Sequence, residues 1–330
     1  MTRSLTTFGE ILPLHTPFRI SRGVKTAAQV VTVAIAQDGV TGRGECVPYP
    51  RYGENAESTV LAIEAARGAV EAGATRHDLL DLMPAGAARN AIDCALWDLE
   101  LRLAGSDIAT ALGLEKPLRP IVTAMTISLD TPDRMAAAAA ALADAPLLKV
   151  KVDRNDPAAQ IKAVRAAAPN PKMIVDPNES WTIAEVRGLQ DLLIELRIDL
   201  LEQPLPADAD DDLRGFRSAI PIAGDEAVHV AADLGTLPDG YGVVNIKLDK
   251  TGGLTAALDL ARAARERGLG VMTGCMICSS LSIAPAWAIA AQSSFVDLDG
   301  PLWLAEDRAG GVRAAHGIMS PPQPGFWGGL

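Results

Sequence analysis

Eight short apolar segments, each reaching a polar side chain at or near its end, recur through the last two thirds of the chain and leave few folds open to it. They cover residues 121–128, 147–152, 173–176, 199–203, 220–225, 243–248, 270–274 and 295–299. Between them run stretches such as 135–142 and 254–267, whose Ala, Leu and Arg content favours helix. This alternation is the signature of βα units around a parallel sheet, and eight such units close most economically into a (β/α)8 barrel. Thr126, Lys151, Asp176, Glu202, Asp225, Lys247, Cys275 and Asp297 follow one another at intervals of 22 to 28 positions. Each interval is one βα unit, so these side chains are expected to ring a single cavity at the C-terminal ends of the strands, where barrel active sites assemble.

The preceding part reads differently. Residues 30–36 are largely β-branched and stop at Gln37-Asp38-Gly39, a hairpin signal, with 42–48 as the return strand. Apolar residues then recur at helical spacing over 55–72 and 87–103, and Gly105 ends the second run. Pro117 and Pro120 mark a boundary. The expected organisation is an α+β domain over 1–118, a barrel over 119–310, and a tail over 311–330 that packs back on the first domain, irregular from Pro321 onward.

With 30 Lys and Arg against 41 Asp and Glu, the net charge of −11 argues against nucleic-acid or anionic-membrane binding. A 48% hydrophobic, 22% charged composition excludes disorder as the main state. The start, Met1-Thr2-Arg3-Ser4 followed by Glu10, has no apolar signal core, and no run of about 18 apolar residues occurs, so a cytoplasmic address is expected. Four cysteines in so long a chain make a poor disulfide framework, which agrees with that address.

Asp176, Glu202 and Asp225 end three consecutive strands. Three converging carboxylates repel one another unless a hard cation neutralises them, and Mg²⁺ suits an oxygen-only set. The plainer alternative is that each caps a helix or pairs with a surface base. Lys149 and Lys151 alternate with Val150 and Val152, so both lysines point to one side of a strand. Facing inward they repel each other, which lowers the pKa of one and suits it to act as a neutral base. Lys247, four strands further on, approaches from across the barrel. Lysines on opposite faces of one carbon can remove a proton from one side and return it on the other, the geometry of an epimerase or racemase. A metal on the substrate carboxylate would stabilise the enediolate left when the α-proton departs. Lysine bases working with Mg²⁺ are the enolase-superfamily solution to abstracting such a proton.

The chain resembles the dipeptide epimerases of the enolase superfamily, and among them the L-Ala-D/L-Glu epimerases, over nearly its whole length. The first domain contributes Pro13-Leu14-His15-Thr16-Pro17-Phe18, Gly44-Glu45-Cys46-Val47-Pro48-Tyr49-Pro50-Arg51-Tyr52-Gly53-Glu54 and Pro84-Ala85-Gly86-Ala87-Ala88-Arg89-Asn90-Ala91. The barrel contributes Lys149-Val150-Lys151, Asp176-Pro177-Asn178-Glu179-Ser180-Trp181, Leu201-Glu202-Gln203-Pro204, Asp225-Glu226, Asn245-Ile246-Lys247-Leu248-Asp249-Lys250-Thr251-Gly252-Gly253 and Asp297-Leu298-Asp299-Gly300. The last of these discriminates, since the lysines and carboxylates alone identify only the broader muconate-lactonizing-type subgroup.

The resemblance implies a modified TIM barrel beneath an N-terminal α+β cap that supplies lid loops. It implies Mg²⁺ on Asp176, Glu202 and Asp225, and Lys151 and Lys247 as the acid/base pair. Lys149 would tune Lys151 and contact the substrate carboxylate. Asp297 and Asp299 would hold the dipeptide's α-ammonium, acceptor-only partners for a cation in a dry site. Thr126 and Cys275 would touch substrate. Lys25 stands where such epimerases usually place an arginine for a distal glutamate carboxylate; it keeps the charge and loses the bidentate fork, with Arg19 and Arg22 as alternatives. The implied reaction is 1,1-proton transfer at the C-terminal residue of L-Ala-L-Glu, in the reuse of peptidoglycan peptides. The expected partner is a small dipeptide, with no nucleic acid or membrane, and homo-oligomerisation is left open.

Other signals are weaker. Cys275-x-x-Cys278 has no second pair and no histidine at zinc-motif spacing, so Cys275 is read as a strand end and Cys278 as buried packing, a redox role being the alternative. Lys250-Thr251-Gly252-Gly253 is only a fragment of a phosphate loop, and its glycines are read as turning the chain near the substrate. Tyr49, Arg51 and Tyr52 are read as a lid over the site. The rival functions are another reaction of the same subgroup (o-succinylbenzoate synthesis, cycloisomerisation, epimerisation of a different dipeptide), a Schiff-base aldolase using Lys151 or Lys247, and a non-catalytic binding protein.

Overall fold

The computed structural model describes residues 3–329; Met1, Thr2 and Leu330, at the ends of the leader and tail readings, lie outside the described residues. The chain opens with an antiparallel sheet of β1 (Ser4–Ile20), β2 (Gly23–Gln37) and β3 (Val40–Cys46), in that order. Asp38 and Gly39 both adopt left-handed φ, 53° and 80°, as a tight two-residue hairpin requires, and Gln37 pairs with Val40 across the turn. Sequence reading did not pick out β1. Its Pro13 and the register shift between Pro13 and Phe18 break the alternation that would have marked it.

Helices α1 (Ala56–Glu71), α2 (Asp78–Leu82) and α3 (Ala87–Leu103) cover one face of this sheet, and α4 (Ile108–Leu112) follows. Asn55 and Ser58 close a reciprocal cap at the start of α1, which fixes where that helix begins. Val31, Val33 and Ile35 alternate inward from β2 onto Ile92, Leu96 and Leu99 of α3. Contact between α3 and β3 is close enough that a Cβ at Gly42 or Gly44 would overlap the helix backbone at Ala95 or Ala91.

The expected first barrel strand divides in two. β4 (Ile121–Val122) leaves the barrel, and only β5 (Met125–Ile127) belongs to it. The switch occurs at Thr123, whose N–H donates to Gly317 O while its hydroxyl accepts from Leu298 N. The barrel continues through β6 (Leu147–Lys151), β7 (Lys172–Asp176), β8 (Leu200–Glu202), β9 (Ile222–Gly224), β10 (Val243–Ile246), β11 (Gly270–Gly274) and β12 (Phe295–Asp297), an eight-stranded parallel sheet in sequential order. Ala124 N donates to Val296 O at 2.7 Å and brings the two edges together.

α5 (Pro132–Ala141), α6 (Pro157–Ala167) and α7 (Ile183–Glu195) follow β5, β6 and β7. After β8 and β9 the expected helices are replaced by single 3-10 turns at 210–213 and 231–235. Pro204, Pro206 and Gly215 in one connection, and Gly235, Pro238 and Gly240 in the other, account for the loss. α8 (Leu248–Thr251) and α9 (Leu254–Glu266) follow β10, and α10 (Ser280–Ala290) follows β11. β13 (Arg313–Ala315) and β14 (Ile318–Ser320) then pair with β4. The remaining tail is irregular and reaches the first domain. Gly328 N and Arg43 N both donate to the buried Asp98 carboxylate, at 2.6 and 2.7 Å, and Trp327 donates to Arg43 O. Among the described residues no helix is long and apolar enough to cross a membrane.

The barrel interior is layered by the two-residue period of its strands. Ala124, Leu147, Ile174, Leu200, Ala223, Val243 and Met272 form a continuous apolar floor. Two positions further along the same strands come Thr126, Lys149, Asp176, Glu202, Asp225, Asn245 and Gly274, so alternation alone sets a polar layer on a dry one. Between these, Leu148, Val150, Val175 and Leu201 point outward and are fully buried beneath the surrounding segments.

The packing of α3 on β3 predicts that Gly44→Ala lowers stability by about 1–3 kcal/mol through overpacking. Gly68→Ala, in the last turn of α1 with open space around it, is expected to add about 0.5–1 kcal/mol. Urea denaturation midpoints of the two variants check both signs.

Candidate active site

The strands from β5 to β10, together with β12, each deliver at least one polar side chain into the barrel mouth from the strand itself or, for Asp225 after β9, from the residue that follows it. Lys149 is the hub. Its ammonium lies 2.7 Å from Asp297 Oδ2, 2.8 Å from Glu202 Oε2 and 3.1 Å from Asp176 Oδ2, and it is 1% exposed. Lys151, two residues on and on the same side, donates to Asp176 Oδ2 at 2.5 Å. Lys247 on the far wall donates to Asp225 Oδ2 at 2.6 Å.

Mutual repulsion between Lys149 and Lys151 was expected to dominate, and around Lys149 it does not. Burial disfavours the ammonium, but Asp297, Glu202 and Asp176 outweigh it and hold the group well above the usual lysine range. Lys247 is raised in the same way, Asp225 overriding burial. Burial also opposes ionisation of Asp176, yet Lys151 and Lys149 hold it at about 2. Glu202 goes the other way, pushed up to about 7 by burial and by Asp176. Asp299 is pushed up to about 6 by burial and Asp297.

Asp176, Glu202 and Asp225 are each at most 1% exposed and lie beneath the lysines. Ammonium groups stand between them, and no three His, Cys, Asp or Glu side chains of the described residues form a ready cation cage in this arrangement. The donor set nevertheless fits a hard cation. Glu202 Oε2 and Asp225 Oδ1 accept no well-directed hydrogen bond, although ammonium nitrogens lie 2.8 and 2.7 Å away, and the buried Asn178 Oδ1 accepts none either. Such oxygen-only donors in a buried anionic floor are what Mg²⁺ takes.

Above this floor lies one cavity. Lys25, Thr126, Lys149, Lys151, Lys247, Cys275, Asp297 and Asp299 all line it, which brings together every expected site residue outside the carboxylate trio. Asp299 is oriented by Thr126 N at 2.8 Å and by Trp303 Nε1, while Asp297 Oδ1 is buried without a hydrogen bond. The Lys25 ammonium sits 4.5 Å from the centre of the Tyr49 ring. Burial, with Lys247, Arg22 and Lys151 nearby, lowers Lys25 to about 8. Arg22 is committed elsewhere, to Glu226 Oε1 at 2.7 Å and Glu179 Oε2 at 3.0 Å, and Arg19 does not line the cavity.

Two loops of the first domain roof the site through one carboxylate. Arg22, from the β1–β2 turn, and Arg51, from the loop after β3, both bind Glu179. Arg51 does so with two parallel hydrogen bonds of 2.8 Å. Asn178 and Glu179, two and three residues after Asp176, are held at left-handed φ of 49° and 65°, costly for a residue such as glutamate. Tyr49 and Tyr52 line the cavity beneath this clasp.

Sequence reading gave no role to several residues that build the site. Asn245, two positions before Lys247 and on the same inward face, donates to Glu202 Oε1 at 2.9 Å; the two-residue period was the signal for it. Gln203 accepts from Asp225 N and Ala227 N and so fixes the strand end that presents Asp225. Lys250, part of the fragment set aside as a weak phosphate loop, is fully buried against Asp225, Val228 O and Asn245 O. Gly252 and Gly253, at φ of 74° and 114°, do turn the chain, and they lie against Arg89 and Asp93 of α3.

Comparison with known proteins agrees with this architecture. A family model described as "Mandelate racemase / muconate lactonizing enzyme, N-terminal domain" matches residues 2–113, and one described as "Enolase C-terminal domain-like" matches residues 134–326. The L-Ala-D/L-Glu epimerase of Escherichia coli (strain K12) is 47% identical over 307 residues, 92% of this chain and 95% of that protein. A crystal structure of an enolase family member from Agrobacterium tumefaciens with homology to dipeptide epimerases, with bound sodium and L-Ala-L-Glu, superimposes with a TM-score of 0.95 at 47% identity. It covers 99% of this chain and 100% of its own. A dipeptide epimerase from Methylococcus capsulatus, complexed with Mg and L-Arg-D-Lys, gives a TM-score of 0.89 at 32% identity over 99% of each chain. With both domains matched and this identity sustained along its length, the chain belongs to the mandelate racemase / muconate lactonizing enzyme family of the enolase superfamily.

Proposed function

We propose that this chain is a Mg²⁺-dependent dipeptide epimerase that inverts the α-carbon of the C-terminal residue, with L-Ala-L-Glu and L-Ala-D-Glu as the interconverted pair. The observation that carries the reading is the placement of Lys151 and Lys247. They stand on or directly after strands four apart in an eight-stranded barrel and line the same cavity. One lysine, neutral, takes the α-proton from its face; the other, as ammonium, returns a proton to the opposite face. Asp176, Glu202 and Asp225 would hold Mg²⁺, which when bound supplies positive charge to the substrate carboxylate and so acidifies the α-proton.

Asp297 and Asp299 receive the dipeptide's α-ammonium, and the unpartnered Asp297 Oδ1 supports this role. Thr126 fixes Asp299 through its N–H, and Cys275, directly after the neighbouring strand β11, forms part of the adjoining wall. Lys149 ties the ammonium site to the metal site, since it touches both Asp297 and Glu202. Lys25 is the cation lining the cavity that is bound to no carboxylate among the described residues, which favours an acidic second residue and therefore glutamate. In this reading residues 1–118 supply the lid, 119–310 the chemistry, and 311–330 the tie between them. The proposed setting is reuse of peptidoglycan peptides, on the strength of the resemblance to L-Ala-D/L-Glu epimerases, and the proposed address is the cytoplasm, which suits four cysteines held as free thiols.

The reading is tested by incubating the protein with Mg²⁺ and L-Ala-L-Glu in D₂O. The glutamyl α-proton signal is expected to vanish as L-Ala-D-Glu appears, and the absence of both changes would overturn the proposal. Lys151→Ala and Lys247→Ala should each reduce epimerisation by about a hundred- to ten-thousandfold; full activity in both would sink the two-base mechanism. Asp297→Asn should lower kcat/KM on the dipeptide by about 10- to 100-fold, the loss of a charge-assisted hydrogen bond. It should affect N-acetyl-L-glutamate, which carries no ammonium, far less.

Lys25 sets a pH dependence. In the free enzyme it is an ammonium below about pH 8 and loses its charge as the pH rises through that value. The ratio of kcat/KM for L-Ala-L-Glu to that for a dipeptide whose second side chain is uncharged is expected to be flat below pH 8 and to fall by up to about tenfold per unit above it. Lys25→Met should abolish the slope. A ratio independent of pH in the wild type would remove Lys25 from specificity.

A further inference from the structure

The loop between β11 and α10 carries two thiols that the epimerase reading leaves without a chemical role. Cys275 is half-buried and lines the cavity, while Cys278 is fully buried behind it. Both sulfurs converge on Gly300: a Cβ built there would lie 3.0 Å from Cys275 Sγ and 3.2 Å from Cys278 Sγ. We infer that Cys275 and Cys278 form a reversible oxidation site in the cavity wall, at which hydrogen peroxide converts the two thiols into a disulfide.

The other two cysteines serve as internal controls. Cys46 and Cys94 are buried in the first domain, and Cys94 is engaged with Asn90 Oδ1. Only Cys275 faces a space that a small oxidant enters, the cavity that Lys25, Lys151 and Lys247 also line. Burial pushes the Cys278 thiol well above its usual range, which suits it to the second step rather than the first.

In the first step the Cys275 sulfur attacks a peroxide oxygen, the O–O bond breaks, and hydroxide leaves with the thiol proton as water, giving a sulfenic acid. In the second, the Cys278 sulfur attacks the Cys275 sulfur, the S–O bond breaks, and a second water leaves with the Cys278 proton. Two thiols lose two electrons and two protons, and one peroxide becomes two waters.

A disulfide requires the two sulfurs, both packed against Gly300, to close to about 2.05 Å. That movement draws back the wall formed by Cys275, Met276 and Ile277 and changes what supports Gly300, the residue after Asp299. A displacement on the order of 1 Å at a substrate-positioning wall costs about a hundredfold in rate. The oxidation site itself stands on geometry alone, whereas its effect on epimerisation rests on the proposed function.

The test is peptide mapping of the full-length protein after hydrogen peroxide, with free thiols alkylated. The expected product is a Cys275–Cys278 disulfide, with Cys46 and Cys94 still alkylatable, reversal by dithiothreitol, and slower formation when Mg²⁺ and L-Ala-L-Glu are present. Cys278→Ala should yield instead a dimedone-trapped sulfenic acid at Cys275. Both thiols remaining free at peroxide levels that oxidise glutathione, or oxidation of Cys275 in the wild type without pairing to Cys278, would overturn the inference. If the disulfide forms in protein whose reduced form exchanges no α-proton, the functional proposal fails and the oxidation site stands. If protein that epimerises forms no disulfide, the reverse holds.

Discussion

Lys149 holds together a set of charges that could not otherwise be buried. Three carboxylates reach one ammonium at the bottom of the cavity, at or near zero exposure. Isolated, each charge would cost several kcal/mol to remove from water, and removing one partner from such a knot strands the others. The apolar floor one step below keeps solvent from entering beneath. Lys151 and Lys247 extend the same balance upward on opposite walls, each bound to a carboxylate of the floor. Position in the barrel, charge state and chemistry are therefore set by a single condition: anions and cations must alternate closely enough to coexist without water.

That condition also explains how the first domain engages the barrel. Glu179 stands two residues beyond Pro177, which follows the carboxylate that holds Lys151, and it gathers both roofing loops through their arginines. Deeper in the interface, Arg89 donates to Thr251 O, Met83 O and Gly252 O, and Asp93 accepts from Thr255. α3 is thus pinned to the segment that begins at Lys247. The first domain and one wall of the cavity share a continuous, hydrogen-bonded interface.

Periodicity was the sequence signal that survived best into the structure. Strands read as apolar runs ending in Lys, Asp or Glu were found at those places because alternation in a parallel strand leaves little freedom about which side chains face inward. The cavity residues followed from the same logic, Lys149, Lys151, Asp176, Glu202 and Asp225 among them. What escaped was long-range. β1 carries a bulge and Pro13 that hide its alternation; Ile121 and Val122 look like the start of a barrel strand and pair instead with a strand nearly two hundred positions later. Lys250 and Gln203 gave no local sign of their roles, because what makes them matter is a carboxylate brought in from another strand. The helices missing after β8 and β9 could have been foreseen from the Pro and Gly in those connections, which barrel regularity tempts a reader to overlook.

One contact has a consequence for the order in which the chain comes together. Asp98, inside α3, accepts one of its hydrogen bonds from Gly328, 230 positions downstream, and the carbonyls of Gly325 and Phe326 accept from Arg102. On a ribosome the first domain emerges long before that segment exists. Until it arrives, a buried aspartate and the inner edge of β3 stay incompletely satisfied, so the first domain can reach only a provisional form. Its final state is sealed after the whole barrel has been threaded behind it, which makes the tail a closing clasp on synthesis as well as on structure.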